Sequence, residues 1–145
     1  MIEVPGNINA LIFDCDGTLV DSMPLHMEAW EFAVTKFHVP WNYNFFFSKK
    51  GMSEKDIIHL YLKEYSQDID GNEIVKTKHD YFKQHISTVK LIDPVVDIAL
   101  KYKNILPMSV ASGGTKEIVT GELKATGILN LFDHILTSDD NIKPK

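Results

Sequence analysis

Two patterns of apolar residues divide the chain into predicted strands and helices. Continuous apolar runs without alternation are typical of strands covered on both faces, as in the middle of a parallel sheet. Such a run predicts a first strand at about 10–13, and two further strands are predicted at about 105–111 and 132–137. Apolar residues at three- and four-residue steps predict helices at about 25–37, 54–65, 73–87, 94–102 and 116–126, with a short helix within 41–50.

Capping and turn residues support several of these boundaries. Ser53, Asp93 and Thr115 stand where helix N-caps are expected, and Gly127 stands where the last helix is expected to end. Pro107 cannot donate to a sheet, so the second strand is expected to begin after it.

The order of the elements predicts the fold class. Strand, helix, strand, helix, strand is the pattern of a parallel sheet with helical crossovers. The sequence therefore predicts a Rossmann-like α/β core, formed by residues 1–23 and 92–145, with an inserted α-helical domain at 24–91.

Candidate catalytic and metal-binding residues follow the first strand, in the stretch N-A-L-I-F-D-C-D-G-T-L-V-D-S. Asp14 and Asp16 flank Cys15 at the carboxyl end of the strand, the edge where ligands bind in α/β sheets. Two carboxylates this close repel each other unless a cation neutralises them, and Mg²⁺ prefers carboxylate oxygens. Gly17 permits a sharp turn and Thr18 adds a hydroxyl. One aspartate could attack phosphorus while the other transfers protons.

This stretch resembles motif I of the haloacid dehalogenase superfamily of phosphatases and phosphomutases. The resemblance implies that Asp14 is the nucleophile and Asp16 the general acid/base. It also implies that Mg²⁺ binds a carboxylate oxygen of Asp14 and the backbone carbonyl of Asp16. Gly17 and Thr18 are then expected beside the substrate. The implied fold is the superfamily's parallel-sheet core with an α-helical cap.

Two later segments resemble the other motifs of that superfamily. V-A-S-G-G-T resembles motif II, in which Ser112 would hold the phosphoryl group and Gly113 would offer a backbone N–H, with help from the dipole of the following helix. I-K-P-K resembles motif III, whose lysine neutralises the nucleophile and the phosphate. The spacing from the pair Asp139-Asp140 favours Lys145 as that lysine, and Lys143 is the alternative.

The predicted insert resembles the cap of the β-phosphoglucomutase and sugar-phosphate phosphatase branch, beginning with D-S-M-P-L-H-M-E-A-W. On this resemblance His26, Gly51 and Lys78 are candidate substrate-binding residues. The mutases have an arginine that grips a second phosphate where this chain has Glu54. That reversal of charge argues against mutase activity.

These motifs predict a Mg²⁺-dependent phosphatase that hydrolyses a small phosphate ester, such as a sugar phosphate, through an aspartyl-phosphate. A phosphohexomutase and an inactive or phosphate-binding fragment are the alternatives, while Asp16 argues against a dehalogenase. The acidic motif IV, which would supply a third metal carboxylate, is absent, so we expect the chain to be truncated at motif III.

Composition and charge limit the kinds of binding partner that we expect for this protein. The net charge is −5, with 15 basic and 20 acidic residues, and no basic patch indicates a nucleic-acid partner. One cysteine excludes an intrachain disulfide and fits a reducing compartment. Neither a membrane span nor a signal peptide is visible. We expect a cytoplasmic protein whose partner is a small phosphorylated metabolite, and the oligomeric state stays open.

Overall fold

The chain forms two compact units in a computed structural model that describes residues 2–141. One unit comprises Met1–Met23 and Ser87–Lys145, and the other comprises Pro24–Ile86. The first contains every strand of the described chain, and the second is helical.

A three-stranded parallel sheet forms the centre of the α/β unit. Its strands are β1 (Leu11–Phe13), β4 (Met108–Ala111) and β5 (His134–Leu136), in the order β1-β4-β5. Helix α5 (Asp93–Tyr102) precedes β4, and helix α6 (Lys116–Ala125) connects β4 to β5. The predicted parallel α/β fold is confirmed.

The position of β1 in the sheet differs from the prediction. Within residues 2–141 β1 pairs only with β4, so it is an edge strand, and Ile12 is 73% exposed. The apolar run correctly predicted a strand, and within residues 2–141 that strand is left uncovered at Ile12. Such a run reports the character of the strand itself and does not specify what lies beside it.

A small antiparallel ribbon was not predicted. Strand β2 (Val20–Asp21) pairs with β3 (Lys90–Leu91), so that Val20 lies opposite Leu91. Each strand has two residues, which is too short for a periodic pattern to be visible. The ribbon brings together the two ends of the segment that contains the helical unit.

The helical unit contains α1 (Met23–Lys36, whose first residue belongs to the α/β unit), α2 (Tyr43–Ser48), α3 (Glu54–Glu64) and α4 (Gly71–His85). The predicted short helix within 41–50 is confirmed as α2. A short 3₁₀ helix, Ile86–Thr88, follows α4, and another, Leu129–Leu131, precedes β5. In the described part of the chain no helix is both long and apolar enough to cross a bilayer.

The predicted N-caps had different outcomes. Ser53 is confirmed as the cap of α3, because its hydroxyl accepts the N–H of Asp56 at 3.2 Å. Asp93 is instead the first residue of α5. Ile92 occupies the cap position, and Pro94 lies in the first turn of the helix. Thr115 occupies the cap position of α6 but makes no side-chain cap hydrogen bond.

Aromatic rings fill the core of the helical unit around Tyr61, which is fully buried. The ring of Tyr61 lies 4.5 Å from that of Phe46 and 4.8 Å from those of Phe45 and Tyr65, measured between centroids. Its hydroxyl donates to the carbonyl of Pro40. Tilted contacts between aromatic rings and one satisfied polar atom therefore anchor α3 to the segment before α2.

We expect Tyr61→Phe to lower the free energy of unfolding of the helical unit by about 1 kcal/mol, because the hydrogen bond from the Tyr61 hydroxyl to the carbonyl of Pro40 is lost. Urea unfolding followed by circular dichroism measures this change. The matched control is Tyr43→Phe. Tyr43 is 50% exposed, so the loss of its hydroxyl should lower stability by less than about 0.5 kcal/mol. Equal costs for the two variants would contradict the assignment.

Candidate active site

The turn after β1 places two aspartates on either side of a buried cysteine. The carbonyl of Cys15 accepts the backbone N–H groups of Thr18, Leu19 and Val20 at 2.9–3.1 Å, which closes the turn tightly. Gly17 has a φ of +73°, a conformation that favours glycine. The side chain of Cys15 is fully buried, whereas both aspartates remain partly exposed.

Asp16 connects this turn to the end of β4. Its Oδ1 accepts the hydroxyl of Ser22 at 2.6 Å, and its Oδ2 accepts the hydroxyl of Ser112 at 3.3 Å. Thr18 donates to Oδ2 of Asp14 over a longer distance of 3.4 Å. The structure therefore brings Asp14, Asp16, Thr18 and Ser112 together at one edge of the sheet.

The register of the sheet explains this meeting. β1 and β4 are parallel neighbours in which Phe13 lies opposite Val110, so both strands end at the same edge. The backbone N–H of Ser112 donates to the carbonyl of Leu136 on β5 at 2.9 Å, which extends the ladder by one residue. The side chain that follows β4 is therefore fixed from both neighbouring strands.

Gly114 allows the chain to pass close to this edge. A Cβ atom at this position would lie 2.9 Å from Cγ2 of Val119 and 3.6 Å from Oδ2 of Asp16. Its N–H donates to the Ser112 hydroxyl oxygen at 3.1 Å. Gly113, which was predicted to offer an N–H to phosphate, lies exposed in the same turn.

A buried acid beneath the site was not predicted. Glu122 on α6 is fully buried, and the thiol of Cys15 lies 3.5 Å from its Oε2. Burial and the nearby charge of Asp16 raise the pKa of Glu122 to about 9, so this carboxyl is protonated at neutral pH. Burial also raises the pKa of the Cys15 thiol strongly, which keeps it neutral and makes it a poor nucleophile.

The sequence did contain a signal for Glu122. The inward face of α6 carries Ile118, Val119 and Leu123, and Glu122 falls on the same face at helical spacing. An acid in line with an apolar stripe indicates either a buried partner or a raised pKa.

The family of the chain follows from comparison with known proteins. The model of the haloacid dehalogenase-like hydrolase family matches residues 11–145. The chain belongs to the haloacid dehalogenase-like hydrolase family. This match covers all three segments that resemble the superfamily motifs, and it confirms the family predicted from the sequence.

Two individual proteins are similar to this haloacid dehalogenase-like chain at low sequence identity. An uncharacterized protein of Haemophilus influenzae is 27% identical over 139 residues, which is 95% of this chain and 70% of that protein. Fructose-1-phosphate phosphatase YqaB of Escherichia coli is 23% identical over 129 residues, which is 89% of this chain and 69% of that protein.

A solved structure shares the fold. The crystal structure of a predicted phosphoglycolate phosphatase from Haemophilus somnus matches with a TM-score of 0.81 and 20% identity. The match covers 95% of this chain, but the chain spans only 66% of that structure. At this identity the likeness shows the fold alone.

The remaining predicted site residues lie either in the helical unit or outside residues 2–141. Gly51 lies in the turn after α2 with a φ of +89°. His26 on α1 and Lys78 on α4 meet, with Nδ1 and Nζ 2.9 Å apart. Lys143 and Lys145, the two candidates for motif III, lie outside the described residues.

Lys78 forms a buried ionic cluster with Glu54. The side chain of Lys78 is completely buried, and its ammonium donates to Oε1 of Glu54, while His79 contacts Oε2. The ammonium also lies over the rings of Trp30 and Phe82, at 5.5 and 5.3 Å from their centroids. Burial alone would raise the pKa of Glu54, but the hydrogen bond from His79 and the charge of Lys78 lower it to about 2.

We expect Glu54→Gln to lower the stability of the helical unit by about 3 kcal/mol at pH 7, because the charge of Lys78 would stay buried without its carboxylate. Adding Lys78→Met should recover most of this loss, since it removes the buried charge as well. Asp80→Asn is the control: its pair with Lys83 is exposed and should contribute less than about 0.5 kcal/mol. A Glu54→Gln variant as stable as the control would contradict the cluster.

The same pair predicts a pH dependence. The pKa of Glu54 is lowered from 4.5 to about 2 on folding. The unfolded chain therefore takes up this proton first, so stability is present above pH 4.5 and is lost as the pH falls toward 2. Glu54→Gln should flatten this part of the stability profile.

Proposed function

We propose that the protein is a phosphatase that hydrolyses a small phosphate ester through a phosphoryl group carried on Asp14. The observation that carries the proposal is the hydrogen bond from Ser112 to Asp16, 3.3 Å long, which joins the predicted motifs I and II at one strand edge. Membership of a hydrolase family and the fructose-1-phosphate phosphatase among the relatives support the same chemistry.

The residues of the site divide the steps of the reaction between them. A carboxylate oxygen of Asp14 attacks phosphorus, and Asp16 gives a proton to the leaving oxygen. Asp16 then accepts a proton from the water that attacks the phosphoryl group, and the bond between phosphorus and Asp14 breaks to release inorganic phosphate. Ser112 donates to a phosphoryl oxygen, and the turn that follows it brings backbone N–H groups close. Lys145, or Lys143 in its place, adds positive charge.

The residues at this edge fit a hard cation. A carboxylate oxygen of Asp14 and the backbone carbonyl of Asp16, both residues being partly exposed, are oxygen donors of the kind that a hard cation such as Mg²⁺ takes. Asp14 and Asp16 would hold the ion. When bound, it would offset the charge on the phosphate.

The ionic cluster of the helical unit supports a substrate with one phosphate. We propose that this unit is the cap and that His26, Gly51 and Lys78 act in it. Glu54 already compensates the charge of Lys78, so these side chains offer little net positive charge to a second phosphate. A sugar monophosphate fits this balance better than the bisphosphate that a phosphohexomutase must bind.

We expect Asp14→Asn to lower the turnover of a generic aryl phosphate in Mg²⁺ by at least about 1,000-fold, as when a covalent nucleophile is removed. Omitting Mg²⁺ should lower the wild-type rate as well. Asp21→Asn is the matched control, because Asp21 is exposed on the ribbon of the same segment and should leave turnover unchanged.

Substrate comparison then tests the proposed class. The ratio kcat/KM should be higher for a hexose monophosphate than for the matching bisphosphate. Equal turnover by wild type and Asp14→Asn would contradict the proposal. Phosphate binding without any turnover would instead support a binding module.

A further inference from the structure

We propose that Asp139 is a positioning residue, which holds the Ser112–Gly114 turn in the shape that receives a phosphoryl group. The inference rests on the proposed phosphatase function and adds a residue to that same site. It concerns the turn after β5, which lies outside the three segments that resemble the superfamily motifs.

The carboxylate of Asp139 caps α6 from another part of the chain. Its Oδ2 accepts the N–H of Lys116, the first residue of α6, at 2.8 Å. Thr115, the residue at the cap position, makes no side-chain cap bond. A carboxylate at a helix N-terminus also interacts favourably with the helix dipole. Asp139 therefore performs a task that a local side chain usually performs.

The neighbour of Asp139 holds the other side of the turn. Both the backbone N–H and the hydroxyl of Ser138 donate to the carbonyl of Gly114, each at 3.0 Å. Two consecutive residues after β5 thus bind the chain on both sides of Thr115. The start of α6 and the end of the phosphate turn cannot shift independently while these bonds persist.

Hydrogen bonds within the turn at 137–140 also fix the segment that contains Ser138 and Asp139. Oδ2 of Asp140 accepts the N–H of Thr137 at 2.8 Å and its hydroxyl at 3.1 Å, and the N–H of Asp140 returns to the carbonyl of Thr137 at 3.1 Å. The hydrogen bonds from Thr137 lower the pKa of Asp140, so its acceptor form persists. The turn at 137–140 can therefore act as a rigid support.

Hydrogen bonds through Gly114 connect the turn at 137–140 to Ser112 and Asp16. The N–H of Gly114 donates to the hydroxyl oxygen of Ser112 at 3.1 Å, and that hydroxyl donates to Asp16 at 3.3 Å. A shift of Gly114 would change the direction of the Ser112 hydroxyl. The N–H of Lys116, at the start of α6, is bonded to Asp139 in this arrangement.

We expect Asp139→Ala to lower kcat/KM for an aryl phosphate by about tenfold or more, since small misplacements of catalytic groups are costly. Inhibition by inorganic phosphate should weaken in parallel. Asp139→Asn should keep most of both, because its amide oxygen can accept the same N–H. The matched control is Asp70→Ala, which removes a carboxylate cap from α4 and should change neither quantity.

A readout without turnover separates this inference from the proposed function. In amide NMR spectra, the Gly114 resonance should shift and its hydrogen exchange should quicken in Asp139→Ala, but not in Asp139→Asn or Asp70→Ala. Titration with inorganic phosphate should move the Gly114 resonance in the wild type and move it less in Asp139→Ala.

The outcomes are distinct. An inactive wild type with the expected NMR pattern would refute the phosphatase proposal and leave the support by Asp139 standing. An Asp139→Ala variant with wild-type kinetics and an unchanged Gly114 amide would overturn the inference. Equal losses in Asp139→Asn and Asp139→Ala would also overturn it, because the hydrogen bond would then not be what positions the turn.

Discussion

The carboxylate of Asp16 is the point on which the candidate site depends. It accepts one hydroxyl from Ser22, six residues ahead, and another from Ser112, 96 residues ahead. Hydrogen bonds to a charged group contribute about 1.5–3 kcal/mol each, so this carboxylate holds two distant parts of the chain in one arrangement. The parallel pairing of β1 with β4 makes the arrangement possible, because it ends both strands at the same edge.

The two units bury charge by different means. Glu122 lies beneath Asp16, and a raised pKa keeps it neutral, which avoids a further negative charge at the site. In the helical unit Lys78 is equally buried, and Glu54 balances it as an ion. In the proposed phosphatase, this neutral acid would leave the edge of the α/β unit available to one cation and one phosphate. An ion pair gives the helical unit a fixed polar cluster among aromatic rings.

The sequence was sufficient for the parts of the molecule that local patterns determine. The strands at Leu11–Phe13 and Met108–Ala111 end in recognisable residues, and parallel strands bring their ends to one edge, so Asp14, Asp16 and Ser112 could be named in advance. The edge position of β1 and the β2–β3 ribbon could not, because both depend on which segments pair. Contacts between distant segments also escaped, which explains why Glu122 and Asp139 were missed.

Detection of a phosphorylated Asp14 tests the account most directly. The protein would be mixed rapidly with an aryl phosphate carrying labelled phosphorus, quenched in acid, and digested for peptide mass spectrometry. The account predicts a base-labile label on the peptide that contains Asp14, formed within one turnover and absent from Asp14→Asn. Turnover of the substrate without any label on that peptide would contradict it.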